Sequence, residues 1–287
     1  MTPAAAATFA TSEFLTGLVV TLAAVVLTMV VAFAIGRAVG RYNVIDTAWG
    51  LGFVVVAVVS FAWSSGQGDD TVRFVMLGIV AVWGARLTIY LGWRSRGKGE
   101  DPRYTEMLER AQGSEARYAV AHIFVPQAAA MWFISLPVQV AMYQQDPAAV
   151  LLVVGVAVWL VGLGFESVGD LQLARFRADP ANRSQVMDRG LWRYTRHPNY
   201  FGDACVWWGV FLVACAQWQG VLTVLSPVLM TWTLMAKTGK PLLEKDMAGR
   251  RPGYTDYVER TSGFVPRRPR RRVTPVVGAP GAPPRGA

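Results

Sequence analysis

The most prominent feature of the chain is a succession of long apolar runs separated by short polar links. Apolar runs of roughly 18 to 25 residues are long enough to cross a hydrocarbon core of about 30 Å. We predict seven such helices: Phe14 to Val39, Ile45 to Ser64, Val72 to Trp93, Tyr118 to Tyr143, Ala148 to Gly169, Tyr200 to Trp218 and Val221 to Lys237. The predicted fold class is therefore all-α, a polytopic membrane helix bundle.

The Lys and Arg residues collect in alternate links. The links after the first, third and fifth predicted helices are basic, as is the chain from Lys237 onward, whereas Ser65 to Thr71 and Gln144 to Pro147 contain no Lys or Arg. Cytoplasmic loops of membrane proteins carry the excess of basic residues. We therefore expect the N-terminus outside and the C-terminus in the cytoplasm, in a membrane such as the bacterial inner (plasma) membrane.

Composition supports this interpretation, because 53% of the residues are hydrophobic and only 16% are charged, against about a quarter in soluble proteins. The net charge of +9 follows from topology and indicates contact with anionic membrane lipids rather than a nucleic-acid partner. Residues 1–266 are expected to form one membrane domain, and 267–287, rich in Pro, Gly and Arg, a disordered basic tail. Cys205 and Cys215 predict neither a disulfide framework nor a metal site.

Ionisable residues inside membrane helices are costly and usually functional. Glu166, Asp170 and Arg177 are spaced by four and seven residues, which places them on one face of the fifth helix. Asn199 and Asp203 are four residues apart at the start of the sixth helix, so they also share a face. These residues predict a polar site where two membrane helices end and begin.

The loop before the sixth helix has features of a phosphate-binding segment. Pro198 fits the first turn of a helix, and Arg189 and Arg196 lie shortly before it. Helix N-termini and arginine side chains both bind phosphate groups well. After the seventh helix, Lys240 and Glu244 recur at helical spacing and predict a second polar surface.

The segment from Gly190 to Asp203 contains the string R-H-P-N-Y-F-G-D. Several residues accompany it further along the chain: Glu244, Tyr254, Tyr257 and Pro266. This pattern resembles the C-terminal half of the steroid 5-alpha-reductase and sterol-reductase superfamily, and is most similar to its bacterial members of largely unassigned function. The resemblance covers Gly164 to Pro266 and extends more weakly to N-V-I-D-T-A-W-G, from Asn43 to Gly50, and to Arg86.

The resemblance implies a helix bundle that binds NADPH in a pocket open to the cytoplasm, with the cofactor-binding half at about 160–266. No G-x-G-x-x-G dinucleotide-binding sequence follows a strand, which agrees with the lack of a Rossmann domain in that superfamily. Arg177 and Arg189 are the candidates for binding its phosphates. The cofactor-binding residues carried over from the resemblance are Glu166, Asp170, Arg177, Arg189, Arg196, His197, Asn199, Tyr200, Asp203, Lys240 and Glu244.

The activity implied is hydride transfer to the β-carbon of an activated alkene in a lipophilic small-molecule substrate, with no protein partner. A hydrogen-bond donor must then stabilise the developing enolate. In the steroid reductases a Glu and a Tyr on the second and third helices perform this task. Here Asp46 and Tyr90 occupy the corresponding helices, and Arg86 is expected to orient Asp46. A purely structural Asp46–Arg86 pair is the alternative.

Two other function classes fit parts of the pattern. Membrane methyltransferases of the isoprenylcysteine and phospholipid type carry a similar R-H-P-x-Y-x-G segment and bind S-adenosylmethionine. Asn199 and Asp203 favour the reductase because they complete its N-Y-x-G-D pattern, and the arginines suit a cofactor with several phosphates. A transporter or structural membrane protein is disfavoured, because the chain has no matching pair of interrupted halves.

Overall fold

The computed structural model describes residues 9–145, 147–237, 244 and 247–270. This part of the chain is helical and contains no β-strand. The helices, in chain order, are α1 (Thr11–Val39), α2 (Val44–Trp63), α3 (Asp70–Ser95), α4 (Pro102–Leu108), α5 (Glu115–Ala141), α6 (Ala149–Ala178), α7 (Pro198–Ala214), α8 (Trp218–Ala236), α9 (Met247–Arg250) and α10 (Tyr254–Arg260). The all-α prediction is confirmed.

Within the described residues, six helices are long and apolar enough to cross a membrane, namely α1, α2, α3, α5, α6 and α8. They support an integral membrane protein, as the sequence predicted. The predicted run from Tyr200 to Trp218 differs: it forms α7, which has 17 residues and ends at Ala214, and Trp218 already begins α8. The orientation of the termini stays a prediction.

Helix α7 packs lengthwise against α6. Pro198, at the start of α7, lies against Gly169 near the end of α6, and Val213 lies against Gly155 near the start of α6. The two helices are therefore antiparallel neighbours along their length. A helix of this length covers about 25 Å at 1.5 Å per residue, and α7 is not among the six helices that meet the length and hydropathy expected of a membrane span.

The backbones of α6 and α7 approach closely because glycines face each other. A Cβ placed on Gly209 would lie 2.7 Å from the carbonyl oxygen of Gly155, well inside normal contact distance. In a membrane, helices associate through close packing and hydrogen bonds, and small residues permit that approach. Facing glycines also allow α2 and α3 to pack closely, because a Cβ on Gly84 would lie 2.6 Å from the carbonyl oxygen of Gly50.

An aromatic layer fills the centre of the bundle between α2, α3 and α7. The rings of Phe53 and Trp207 have centroids 4.4 Å apart, and Trp83 packs edge-on against Trp207 at 5.4 Å. All three side chains are fully buried. We call Phe53, Trp83 and Trp207 the aromatic layer; it adjoins a buried carboxylate, because the Trp83 indole N–H donates to Glu166.

Helix α5 is irregular between Val120 and Phe124, where it becomes π-helical. Pro126 follows and has no backbone N–H to donate to the preceding turn, so the widened turn accommodates the missing hydrogen bond. Beyond it, Gln127 faces α2 and accepts a hydrogen bond from the Trp49 indole. The interruption thus coincides with a polar contact inside the bundle.

Candidate functional site

Three helices bring charged side chains together at one end of the bundle. Arg86 of α3 forms ion pairs with both Glu166 and Asp170 of α6. The Asn199 amide of α7 donates to Asp170 at 3.3 Å, and Asp203 lies one turn further along α7 as an electrostatic neighbour of Glu166. We call these residues the carboxylate cluster: Arg86, Glu166, Asp170, Asn199 and Asp203. Glu166 and Asp170 therefore share a face toward Arg86, as their four-residue spacing predicts.

The carboxylate cluster is buried. Glu166 is 3% exposed and Asp170 is 5% exposed. Burying a carboxylate is costly unless it is paired and hydrogen-bonded, and here one guanidinium bridges both groups. Trp83 of the aromatic layer adds a further hydrogen bond, its indole N–H donating to Glu166 at 2.9 Å.

Two acceptors in the carboxylate cluster lack a partner. The Oδ1 atoms of Asn199 and Asp203 are buried and accept no hydrogen bond from the residues that the structure describes. Native proteins rarely leave buried polar atoms unsatisfied, and such atoms usually meet a ligand, an ion or water. The pair therefore marks a place where a ligand bearing hydroxyl or amide donors can bind.

Two tyrosines border the carboxylate cluster. The Arg86 guanidinium lies over the Tyr90 ring, 5.6 Å from its centroid. Tyr200 stacks on the His197 imidazole with ring centroids 5.3 Å apart and is an electrostatic neighbour of Asp170 and Asp203. Both predicted site tyrosines thus lie beside the cluster.

The expected pairing of Arg86 with Asp46 is wrong. Asp46, at the start of α2, accepts hydrogen bonds from Arg103 at 3.1 Å and from the Tyr104 hydroxyl at 2.6 Å. The reason is geometric, since the Arg86 guanidinium is already occupied by the two carboxylates of α6. Asp46 instead attaches the loop that contains α4 to the start of α2.

Arg103, Tyr104 and Gln127 belong to this second network, and sequence reasoning missed them. Burial raises the pKa of Tyr104 well above its ordinary value, and the neighbouring Asp46 carboxylate raises it further. Tyr104 therefore stays a neutral hydrogen-bond donor. The N-V-I-D-T-A-W-G string was the sequence signal for this network. It contains both Asp46 and Asn43, and the Asn43 amide donates to the Gly99 carbonyl of the same loop at 3.0 Å.

Arg196 and His197 form a third polar group, which holds the C-terminal segment. Nε of Arg196 donates to Glu244 at 2.9 Å, and Nε2 of His197 lies 2.8 Å from the same oxygen. Burial opposes ionisation of Glu244, but the hydrogen bonds from His197 and Arg196 lower its pKa from 4.5 to about 2. Arg196 also donates to the carbonyls of Val258 and Thr261.

Arg196 therefore points into the protein and connects α7 to α10. The neighbouring backbone continues this attachment, since Arg196 N–H donates to the Ser262 carbonyl at 2.9 Å. Arg177 and Arg189, the predicted phosphate ligands, are both exposed. Lys240 and the tail from residue 271 lie outside the described residues.

A family model described as a protein of unknown function, DUF1295, matches residues 32–261. The chain belongs to the DUF1295 family. That family is related to steroid 5-alpha-reductase-like proteins. The matched region of this DUF1295 member contains the whole carboxylate cluster together with the Asp46 and Glu244 networks. No curated protein and no solved structure matches the chain.

Proposed function

We propose that the protein is a membrane-bound, NADPH-dependent reductase of an activated carbon–carbon double bond in a lipophilic substrate, either steroid-like or another lipid. The observation that carries this proposal is the carboxylate cluster with its unpartnered acceptors on Asn199 and Asp203. The relation of the family to steroid 5-alpha-reductase-like proteins supports it. The cluster end of the bundle is proposed to face the cytoplasm, where NADPH is found.

The residues at the cluster suit this cofactor. The Asn199 and Asp203 oxygens can accept hydrogen bonds from ribose hydroxyl and carboxamide groups, and Arg177 and Arg189 can neutralise phosphates. Arg86 positions the two carboxylates of α6 on either side of its guanidinium. NADPH, when bound, supplies the hydride.

The chain also offers neutral donors for the substrate oxygen on which charge develops. Preorganised donors in a dry site stabilise such charge strongly. Tyr104 is held protonated beside Asp46, as its raised pKa indicates, and Tyr90 lies next to Arg86. We propose the predicted Tyr90 as a donor, and Tyr104 as a second donor whose single hydroxyl proton turns from Asp46 to the substrate oxygen, with Asp46 and Arg86 as positioning residues. The buried aromatic layer is suited to excluding water from this end of the bundle.

The alternative, an S-adenosylmethionine-dependent methyltransferase, is favoured by one observation. The cluster contains three carboxyl groups, of Glu166, Asp170 and Asp203, around a single guanidinium. An excess of acidic groups in a site beside aromatic rings would attract the sulfonium of that cofactor. An experiment that measures which of the two cofactors binds can therefore distinguish the two functions.

The test is to titrate purified protein in detergent with NADPH and, separately, with S-adenosylmethionine. We expect saturable NADPH binding that Asn199→Ala weakens about tenfold, which equals about 1.4 kcal/mol. Asn182→Ala is the matched control, because the Asn182 amide lies in the loop after α6 and donates to Asp179 and to the Phe176 carbonyl in the last turn of α6. Saturable binding of S-adenosylmethionine without NADPH binding would contradict the reductase.

A further inference from the structure

Helices α3 and α6 run parallel, and their register is set by two contacts. Trp83 of α3 contacts Glu166 of α6. Arg86, three residues after Trp83, contacts Asp170, four residues after Glu166. Arg94 follows Arg86 by eight residues, and Arg177 follows Asp170 by seven. Both steps are two helical turns, which keep a residue on the same face. Arg94 and Arg177 are thus brought side by side beyond the carboxylate cluster.

A third arginine reaches the same place from the C-terminal segment. Arg251, which directly follows α9, donates a hydrogen bond to the Gln185 carbonyl. Arg94 and Arg251 are both electrostatic neighbours of Arg177, and Arg94 is also a neighbour of Asp170. Arg94 and Arg251, on two separate elements, therefore each place a guanidinium group near that of Arg177.

Positive charge is in excess here: Asp170 is an electrostatic neighbour of Arg94 and Arg177, but it is already paired with Arg86. Among the residues that the structure describes, none of the three guanidinium groups forms an ion pair with an acidic side chain. Like charges that converge repel each other, and the repulsion persists unless an anion is bound between them. Arg94 and Arg177 are exposed, so an anion can reach them from outside the bundle.

We infer that Arg94, Arg177 and Arg251 form an anion site that binds a phosphate or diphosphate group. Guanidinium forks match phosphate oxygens in pairs and remain charged at every physiological pH. The site lies two helical turns, or about 11 Å, from the carboxylate cluster along α3 and α6. Assigning the diphosphate to the cofactor rests on the proposed function, whereas the anion chemistry does not.

Two sources can supply this phosphate chemistry: a phosphorylated cofactor and an anionic lipid headgroup. The probe is inorganic pyrophosphate, added at low salt to the full-length protein in nanodiscs of zwitterionic phosphatidylcholine. We expect saturable binding that is weakened at least tenfold by Arg94→Gln and by Arg177→Gln and that falls as salt is added. Arg177→Lys, which keeps the charge, should retain part of the affinity.

Arg37→Gln is the matched control, because Arg37 is exposed in the last turn of α1 at the same end of the bundle. It should bind pyrophosphate as the wild type does. The inference is overturned if the wild type shows no saturable binding, if Arg94→Gln and Arg177→Gln bind normally, or if Arg37→Gln loses as much affinity as they do. Size-exclusion profiles establish that each variant is folded.

Competition identifies the source and separates this inference from the proposed function. Displacement of pyrophosphate by NADPH supports a cofactor phosphate at the site, and weaker pyrophosphate binding in phosphatidylglycerol nanodiscs supports a lipid headgroup. If pyrophosphate binds through the arginines but NADPH neither binds nor competes, the anion site stands and the reductase proposal fails. If the wild type does not bind pyrophosphate, and NADPH binds to Arg94→Gln and Arg177→Gln as well as to the wild type, the anion site is wrong and the reductase proposal stands.

Discussion

Gly162 of α6 and Gly202 of α7 face each other so closely that a Cβ on either would lie 2.6 Å from the carbonyl oxygen of the other. The same Cβ on Gly202 would lie 2.9 Å from the Cβ of Glu166. The contact therefore sets the distance between the carboxyl groups of α6 and the polar residues of α7. The carboxylate cluster depends on this backbone packing as well as on its own charges.

Gly162→Ala should separate α6 from α7. Forcing an extra methyl group into a closely packed contact typically costs about 1–3 kcal/mol, so we expect a lower unfolding temperature and weaker ligand binding at the cluster. Gly164→Ala is the control on the same helix, since a Cβ there meets nothing within 4 Å. Equal behaviour of the two variants in thermal unfolding would show that the helices do not pack as described.

Arg86→Gln should leave Glu166 and Asp170 buried without a cation. Removing one partner of a buried ion pair costs about 3–5 kcal/mol, whereas replacing all partners is often nearly neutral. Thermal unfolding in nanodiscs should therefore show a much lower unfolding temperature for Arg86→Gln. Adding Glu166→Gln and Asp170→Asn to this variant should raise the unfolding temperature again. A triple variant less stable than Arg86→Gln alone would contradict the account. The surface pair Arg110–Glu106 is the control, and Arg110→Gln should cost less than about 1 kcal/mol.

Glu244 should make attachment of the C-terminal segment depend on pH. Its folded pKa is depressed from 4.5 to about 2, so the stabilisation is complete above pH 4.5 and is lost as the pH falls toward 2. Hydrogen exchange of residues 254–264 should accelerate across this window. Glu244→Gln should exchange quickly already at neutral pH, because hydrogen bonds to charged groups contribute about 1.5–3 kcal/mol. A pH profile identical in wild type and variant would contradict the assigned role.

Asp46→Ala should release the loop that carries α4. The substitution removes the acceptor of the Tyr104 hydroxyl and one of the two carboxylates that bind Arg103, the other being Asp101, and should cost about 1.5–3 kcal/mol of local stability, as for other hydrogen bonds to a charged group. Limited trypsin digestion should then cut at Arg103 sooner. Glu109→Gln, an exposed change just beyond α4, should leave the digestion rate unchanged. Unaltered cleavage of Asp46→Ala would mean that other contacts hold the loop.

Sequence spacing predicted the parts of the site that lie within single helices. Glu166 and Asp170 share a face because they are four residues apart, and the same holds for Asn199 and Asp203. Contacts between helices were harder to predict, because the rotation of α3 about its axis determines whether Arg86 meets Asp46 or α6. The hydrophobic and polar periodicity of the sequence does not specify this rotation of α3.

Other features escaped prediction because their signals were ambiguous. Arg103 and Tyr104 lie in a basic loop, where the charge was fully accounted for by topology. The apolar run from Tyr200 continues without a charged residue to Trp218 except for Asp203, so hydropathy alone could not place the turn that follows Ala214. Arg196 resembled a phosphate ligand by its position, although its donors are directed to Glu244 and to backbone carbonyls.

The reductase proposal is tested most directly by following two labels at once. Purified protein in nanodiscs containing a bacterial lipid extract would receive NADPH deuterated at the transferable nicotinamide position together with S-adenosylmethionine labelled with ¹³C in its methyl group. Mass spectrometry of the lipids should find deuterium bonded to carbon and no labelled methyl group, and Asp203→Asn should reduce the incorporation. Transfer of the ¹³C methyl group without deuterium would contradict the reductase and identify the protein as a methyltransferase.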